Sequence, residues 1–234
     1  DARRAAAWLP DTFYISQFAD SRQQEIAGFE EDIDQSTLSL EGGRIATHNL
    51  TKWHETRINL KWDALETHAA VFAWDSRVHD GPARVDFELP PASPLAATDG
   101  RLILSLSEAG VDSLPDDWKD EGTSAESDAA DGDDASLDWT VVLRDADGAE
   151  AKLPLSHDHA LYPQVQAVPR RAPFLDENEP AEALFRRYDI AIADFAATNT
   201  DFDPGRLATI SFVFDDSPQG AILLDDISFR PAGP

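Results

Sequence analysis

Residues Leu207–Phe229, LATISFVFDDSPQGAILLDDISF, carry the reading on which the fold depends. Ile210, Phe212 and Phe214 alternate with Ser211 and Val213, the period of two expected of a strand with one buried face. Asp216-Ser217-Pro218-Gln219-Gly220 then supplies turn chemistry, and a second apolar run follows, so the stretch reads as a β-hairpin. In the return strand Leu223, Asp225, Ile227 and Phe229 share one parity, which places Asp225 beside three core-facing apolar side chains. A carboxylate there requires protonation, a basic partner or a hard cation such as calcium, because an isolated buried charge is prohibitively costly.

Outward from this stretch, short strands and turns repeat along the chain. Ala27–Asp32, Thr37–Leu40, Arg44–Leu50, Ile58–Trp62, Ala69–Trp74, Arg84–Leu89, Leu102–Leu106 and Leu137–Leu143 read as strands. Asp147-Gly148 turns the chain into a strand at Ala151–Leu155, and Leu184–Ile192 gives another. Asp1–Leu9 reads as a short helix stopped by Pro10, Thr12–Ser16 as a first strand, and residues 1–18 together as the joint to an upstream domain. Ser156–Pro180 is Pro-rich and irregular, and Phe195–Asp203 reads as a loop with one helical turn. Many short strands without a long helix indicate one all-β domain over residues 1–234, an antiparallel two-sheet sandwich. Between Asp112 and Asp138 lie eleven acidic residues and one Lys with no apolar periodicity, a composition expected of a flexible acidic insertion.

Composition narrows the function classes. The 45 acidic and 19 basic residues give a net charge of −26, which repels nucleic acid and anionic lipid. There is no Cys, hence no disulfide framework and no thiolate chemistry. No apolar run approaches the ~20 residues of a membrane-spanning helix. The chain starts at Asp1 and contains no Met, so it is expected to be a piece of a longer protein.

The motifs of several enzyme classes are missing. Gly122-Thr123-Ser124-Ala125-Glu126 lacks the second glycine of a nucleophile elbow and lies in the acidic stretch. His54-Glu55 starts like a zinc-protease helix, but Ile58 stands where the second His is needed. In an extended segment His157 and His159 would share a face and suggest a zinc pair; the polar surroundings and the lack of a third ligand favour a solvated loop. Asp145-Ala146-Asp147-Gly148 departs from a calcium-loop pattern at Ala149 and Glu150 and reads better as a turn. The fragment is therefore expected to be non-catalytic.

The Leu223–Phe229 ending, taken with Phe29-Glu30-Glu31-Asp32, resembles the galactose-binding-like β-jelly-roll domains, many of them carbohydrate-binding modules. Phe13–Phe18, Asp194-Phe195-Ala196 and Phe212–Asp215 are similar to the C-terminal accessory domain of large secreted bacterial α/β-hydrolases. The resemblance implies an extracellular module attached to an upstream catalytic domain, with a polysaccharide or similar polymer as ligand; the alternative is a structural domain docked on that hydrolase with no ligand of its own. It also implies a structural calcium shared by Glu30, Glu31, Asp225 and Asp226, against which stands a merely solvated acidic edge. Sugar faces stack on exposed aromatic rings. Trp62, Trp74 and Trp139 follow strand parity into the core, which leaves Trp53, Trp118 and Tyr162 as candidate ligand platforms or domain-docking residues.

Overall fold

The computed structural model describes residues 24–28, 38–49, 68–76, 81–89, 99–109, 136–162 and 185–230. The described strands are β1 (Gln24–Gly28), β2 (Leu40–Glu41), β3 (Gly43–Asn49), β4 (His68–Asp75), β5 (Ala83–Glu88), β6 (Arg101–Glu108), β7 (Thr140–Asp145), β8 (Glu150–Pro154), β9 (Arg186–Ala191), β10 (Leu207–Phe214) and β11 (Gln219–Arg230). They form two antiparallel sheets. One has the order β3-β4-β11-β6-β9, with β1 also paired to β11; the other runs β2-β5-β10-β7-β8. Their inner faces close over one core in which Phe72, Trp139, Tyr188, Phe212, Phe214 and Phe229 are almost fully buried. This is a two-sheet sandwich of jelly-roll type, as expected.

The Leu207–Phe229 stretch is not a hairpin. β10 pairs with β5 and β7, whereas β11 pairs with β4, β6 and β1. Residues 215–218 therefore form an arch from one sheet to the other. Trp74 holds it from below: its Nε1–H donates to the Ser217 carbonyl at 2.9 Å, and its ring stacks on Phe214 with centroids 4.1 Å apart.

The strict alternation expected for the return strand also fails. Leu224 faces Leu106 and Ile227 faces Leu104, so Asp225 and Asp226 together oppose the single residue Ser105 in a β-bulge. The bulge shifts parity: Ile227 and Phe229 join the main core, while Leu223 packs with Ala69, Val71, Ala73 and Ala109 on the opposite face of the sheet. Asp225 and Asp226 are half-buried, outside the apolar alternation that would have carried Asp225 into the core.

β4 is buried on both faces, which accounts for its nearly unbroken apolar run. The edge strand β8 is blocked by side chains from a seven-residue helix, α1 (Ile192–Thr198), and the residue after it. Thr198 Oγ1 accepts the Lys152 N–H at 3.2 Å, and Asn199 Nδ2 donates to the Glu150 carbonyl at 2.9 Å. The segments 1–18 and 112–135, and the expected strand at Ile58–Trp62, lie outside the described residues.

Candidate functional site

Tyr162 is the one large hydrophobic side chain left exposed among the described residues, at 53%. Its position follows from a backbone bridge: Leu137 and Leu161 exchange hydrogen bonds of 2.8 and 3.3 Å outside the regular strands. Leu161 is buried by this pairing, and the next residue, Tyr162, is left at the surface. Arg186, first residue of β9, holds its guanidinium carbon 5.5 Å from the Tyr162 ring centroid, a cation–π contact that restrains both side chains. Beside them His159 stacks on Tyr188 with centroids 4.0 Å apart and planes within 8°. Asp158 Oδ2 accepts the Asp189 backbone N–H at 3.1 Å and lies 3.1 Å from His159 Nδ1, which ties the segment carrying Tyr162 to the edge of β9.

Asp138, the residue after Leu137 of the bridge, lines a cleft of about 210 Å³ together with Trp139, Thr140, Pro154, Asp215 and Asp216. Two of its carboxylates are fixed by the backbone. Asp138 Oδ1 accepts the N–H of Trp139 at 2.9 Å and of Ser156 at 3.0 Å. Asp215 accepts the Thr140 N–H at 3.0 Å and its hydroxyl at 2.9 Å. Trp139 Nε1 and the Tyr188 hydroxyl are buried without a hydrogen-bond partner among the described residues. Burial pushes the Tyr188 phenol pKa well up; Arg186 pulls it down, and Asp158 and Asp138 push it further up. The arrangement joins a ring face, a guanidinium and several carboxylate acceptors. It suits a ligand with both apolar faces and hydroxyl donors.

The expected site residues fare differently. Tyr162 is exposed, as a platform requires, and Trp74 and Trp139 lie in the core, as expected. Trp53 and Trp118 lie outside the described residues. His157 and His159 do not converge: His157 Nε2 lies 3.1 Å from Asp194 Oδ2, while His159 faces Asp158. Asp145 is a buried acceptor for the N–H groups of Asp147, Ala149 and Asp203, the hydrogen bonding of a turn. For the carboxylate set, Gly28 faces Asp226 in register, and Glu30 and Glu31, two and three residues further along the chain, lie outside the described residues. Two half-buried adjacent carboxylates at a bulge are a donor set that suits a hard cation. Among the described residues no group of three or more His, Asp or Glu is placed to hold a metal ion.

Sequence reasoning missed Arg186 and the acidic cleft. Arg186 is one of two adjacent arginines at the start of β9, with no local pattern to set it apart. Asp216 stands in the sequence as a turn former and Asp215 as the end of the Phe212–Asp215 motif, and neither reading marks a cleft.

Among the described residues no helix is long and apolar enough to cross a membrane. No family model matches the sequence, and no curated protein matches it. Solved structures do share its architecture. An exo-beta-agarase superposes with a TM-score of 0.51 at 11% identity over 90% of this chain and 25% of that one, so the chain spans a quarter of the agarase's length. Two crystal structures of a family 30 carbohydrate-binding module give TM-scores of 0.51 and 0.50 at 8% and 9% identity, over 89% and 91% of this chain and 98% and 89% of theirs. At such identities the likeness is one of fold, and the chain has the β-sandwich jelly-roll fold seen in carbohydrate-binding modules.

Proposed function

We propose that this chain is a non-catalytic carbohydrate-binding module, the accessory domain of a larger secreted hydrolase. The observation that carries the reading is the exposed Tyr162 ring, restrained by Arg186 beside a carboxylate-lined cleft. Tyr162 is the platform for a sugar face, Asp138 and Asp216 offer acceptors to its hydroxyls, and Trp53 and Trp118 are further candidate platforms. The test is isothermal titration of the purified chain with soluble fragments of agarose and cellulose. Tyr162→Ala is expected to weaken binding at least tenfold, about 1.4 kcal/mol, with the melting temperature unchanged because the side chain is exposed. Unchanged affinity in Tyr162→Ala overturns this assignment of the site.

A structural calcium at Glu30, Glu31, Asp225 and Asp226 completes the proposal. It is supported by the Asp225–Asp226 bulge and by the register that sets the end of β1 against Asp226. The ion would join an early strand to a late one, with no part in chemistry. The second reading, a domain that only docks on an upstream catalytic domain, draws on the agarase, of which the equivalent region is a quarter. Such a domain binds no polysaccharide in the same titration.

A further inference from the structure

We propose that the cleft carboxylates make this site selective for uncharged polysaccharide segments, with Asp216 as the residue that excludes sulfated or uronate-bearing ones. The inference rests on the carbohydrate-binding reading and names the substrate class of that site. Asp138, Asp215 and Asp216 line one cleft, and Asp158 lies beside His159, shortly before Leu161 of the bridge in the chain. Arg186 is engaged over the Tyr162 ring.

A carboxylate only accepts hydrogen bonds. It complements a sugar hydroxyl, which donates, and mismatches a sulfate or uronate oxygen, which also only accepts and carries like charge. Asp138 and Asp215 already accept from backbone N–H groups, which keeps them in place. Asp216 is exposed, lines the cleft, and has no hydrogen-bond or ion-pair partner among the described residues. It is the acceptor most open to a ligand and the charge least compensated by the protein.

The experiment compares matched polymers by titration calorimetry: agarose against carrageenan fragments, and hydroxyethylcellulose against carboxymethylcellulose. At low salt the neutral member of the recognised pair is expected to bind at least tenfold more tightly, and the gap is expected to narrow as salt screens the repulsion. Asp216→Lys is expected to close most of that gap. Asp201→Lys changes the net charge equally at the other end of β10 and is expected to leave it open. Melting curves of both variants establish that each is folded. Equal binding of both members at low salt, or equal effects of the two variants, overturns the inference while leaving carbohydrate binding intact. Binding of no polymer overturns both.

Discussion

Asp145 Oδ2 accepts the backbone N–H of Asp203 at 3.0 Å, joining the β7–β8 turn to the entry of β10. Oδ1 accepts the N–H groups of Asp147 and Ala149, each at 2.9 Å, and the residue is only 3% exposed. Burial alone raises the pKa of this carboxyl, but the backbone donors, led by Asp203, outweigh it and hold it below the usual value. A depressed folded-state pKa gives stability that is fully present above the unfolded-state value and is lost as the pH falls through the folded one. Asp145→Ala is therefore expected to cost about 2–4 kcal/mol at pH 7, since it leaves several buried N–H groups unpaired. In urea titrations at descending pH, the difference from wild type should shrink below about pH 4. A difference that stays constant with pH contradicts this account.

Gly220 faces Trp74 across the β4–β11 pair, and a Cβ there would lie 2.6 Å from Cζ2 and 2.7 Å from Cη2 of the indole. The ring cannot swing aside easily, because it is stacked on Phe214 and hydrogen-bonded to Ser217. Gly220→Ala should cost about 1–3 kcal/mol and alter the tryptophan near-ultraviolet signal. A wild-type urea midpoint would mean that the indole has room to move.

The calcium proposal predicts a melting temperature that rises with calcium after chelator treatment. A ligand at a hundredfold excess over its Kd, bound only to the folded form, stabilises by about 2.7 kcal/mol. Magnesium should do less, since it demands tighter octahedral geometry. Asp225→Ala should remove the calcium-dependent increment and Asp131→Ala should leave it. Equal melting in chelator and in millimolar calcium would show that the acidic residues collect only diffuse counterions.

The acidic stretch Ser113–Ser136 is expected to be dispensable for folding, given its lack of apolar periodicity. Replacing it with a short Gly-Ser linker should change stability by no more than about 0.5 kcal/mol. A loss above ~2 kcal/mol would show that it packs.

Much of the sandwich was legible because burial writes itself into alternation. Ile210, Phe212 and Phe214 face the core as their spacing requires, and the Asp147-Gly148 turn joins β7 to β8. Pairing was less legible. An Asp-Ser-Pro turn is equally compatible with a hairpin and an arch, and the choice depends on Trp74 and Phe214, which are distant in sequence and stacked in space. The bulge escaped for a related reason: one extra residue reverses parity without changing local composition. α1 buries only Ile192 and Phe195, too few positions to establish a helical period. At the site, Tyr162 was a candidate as an aromatic outside the strand alternation, but its companion Arg186 is brought to it by tertiary contact alone.

The arch at residues 215–218 bears on how this domain can assemble. β10 and β11 occupy interior positions in the two sheets and follow every other described strand in the chain. During synthesis each sheet therefore waits, split around the place of a strand not yet made, with its apolar inner face unpaired. Emergence of a single contiguous segment then completes both halves together, so a nascent chain stopped before Leu207 should be held by chaperones or aggregate rather than fold part-way.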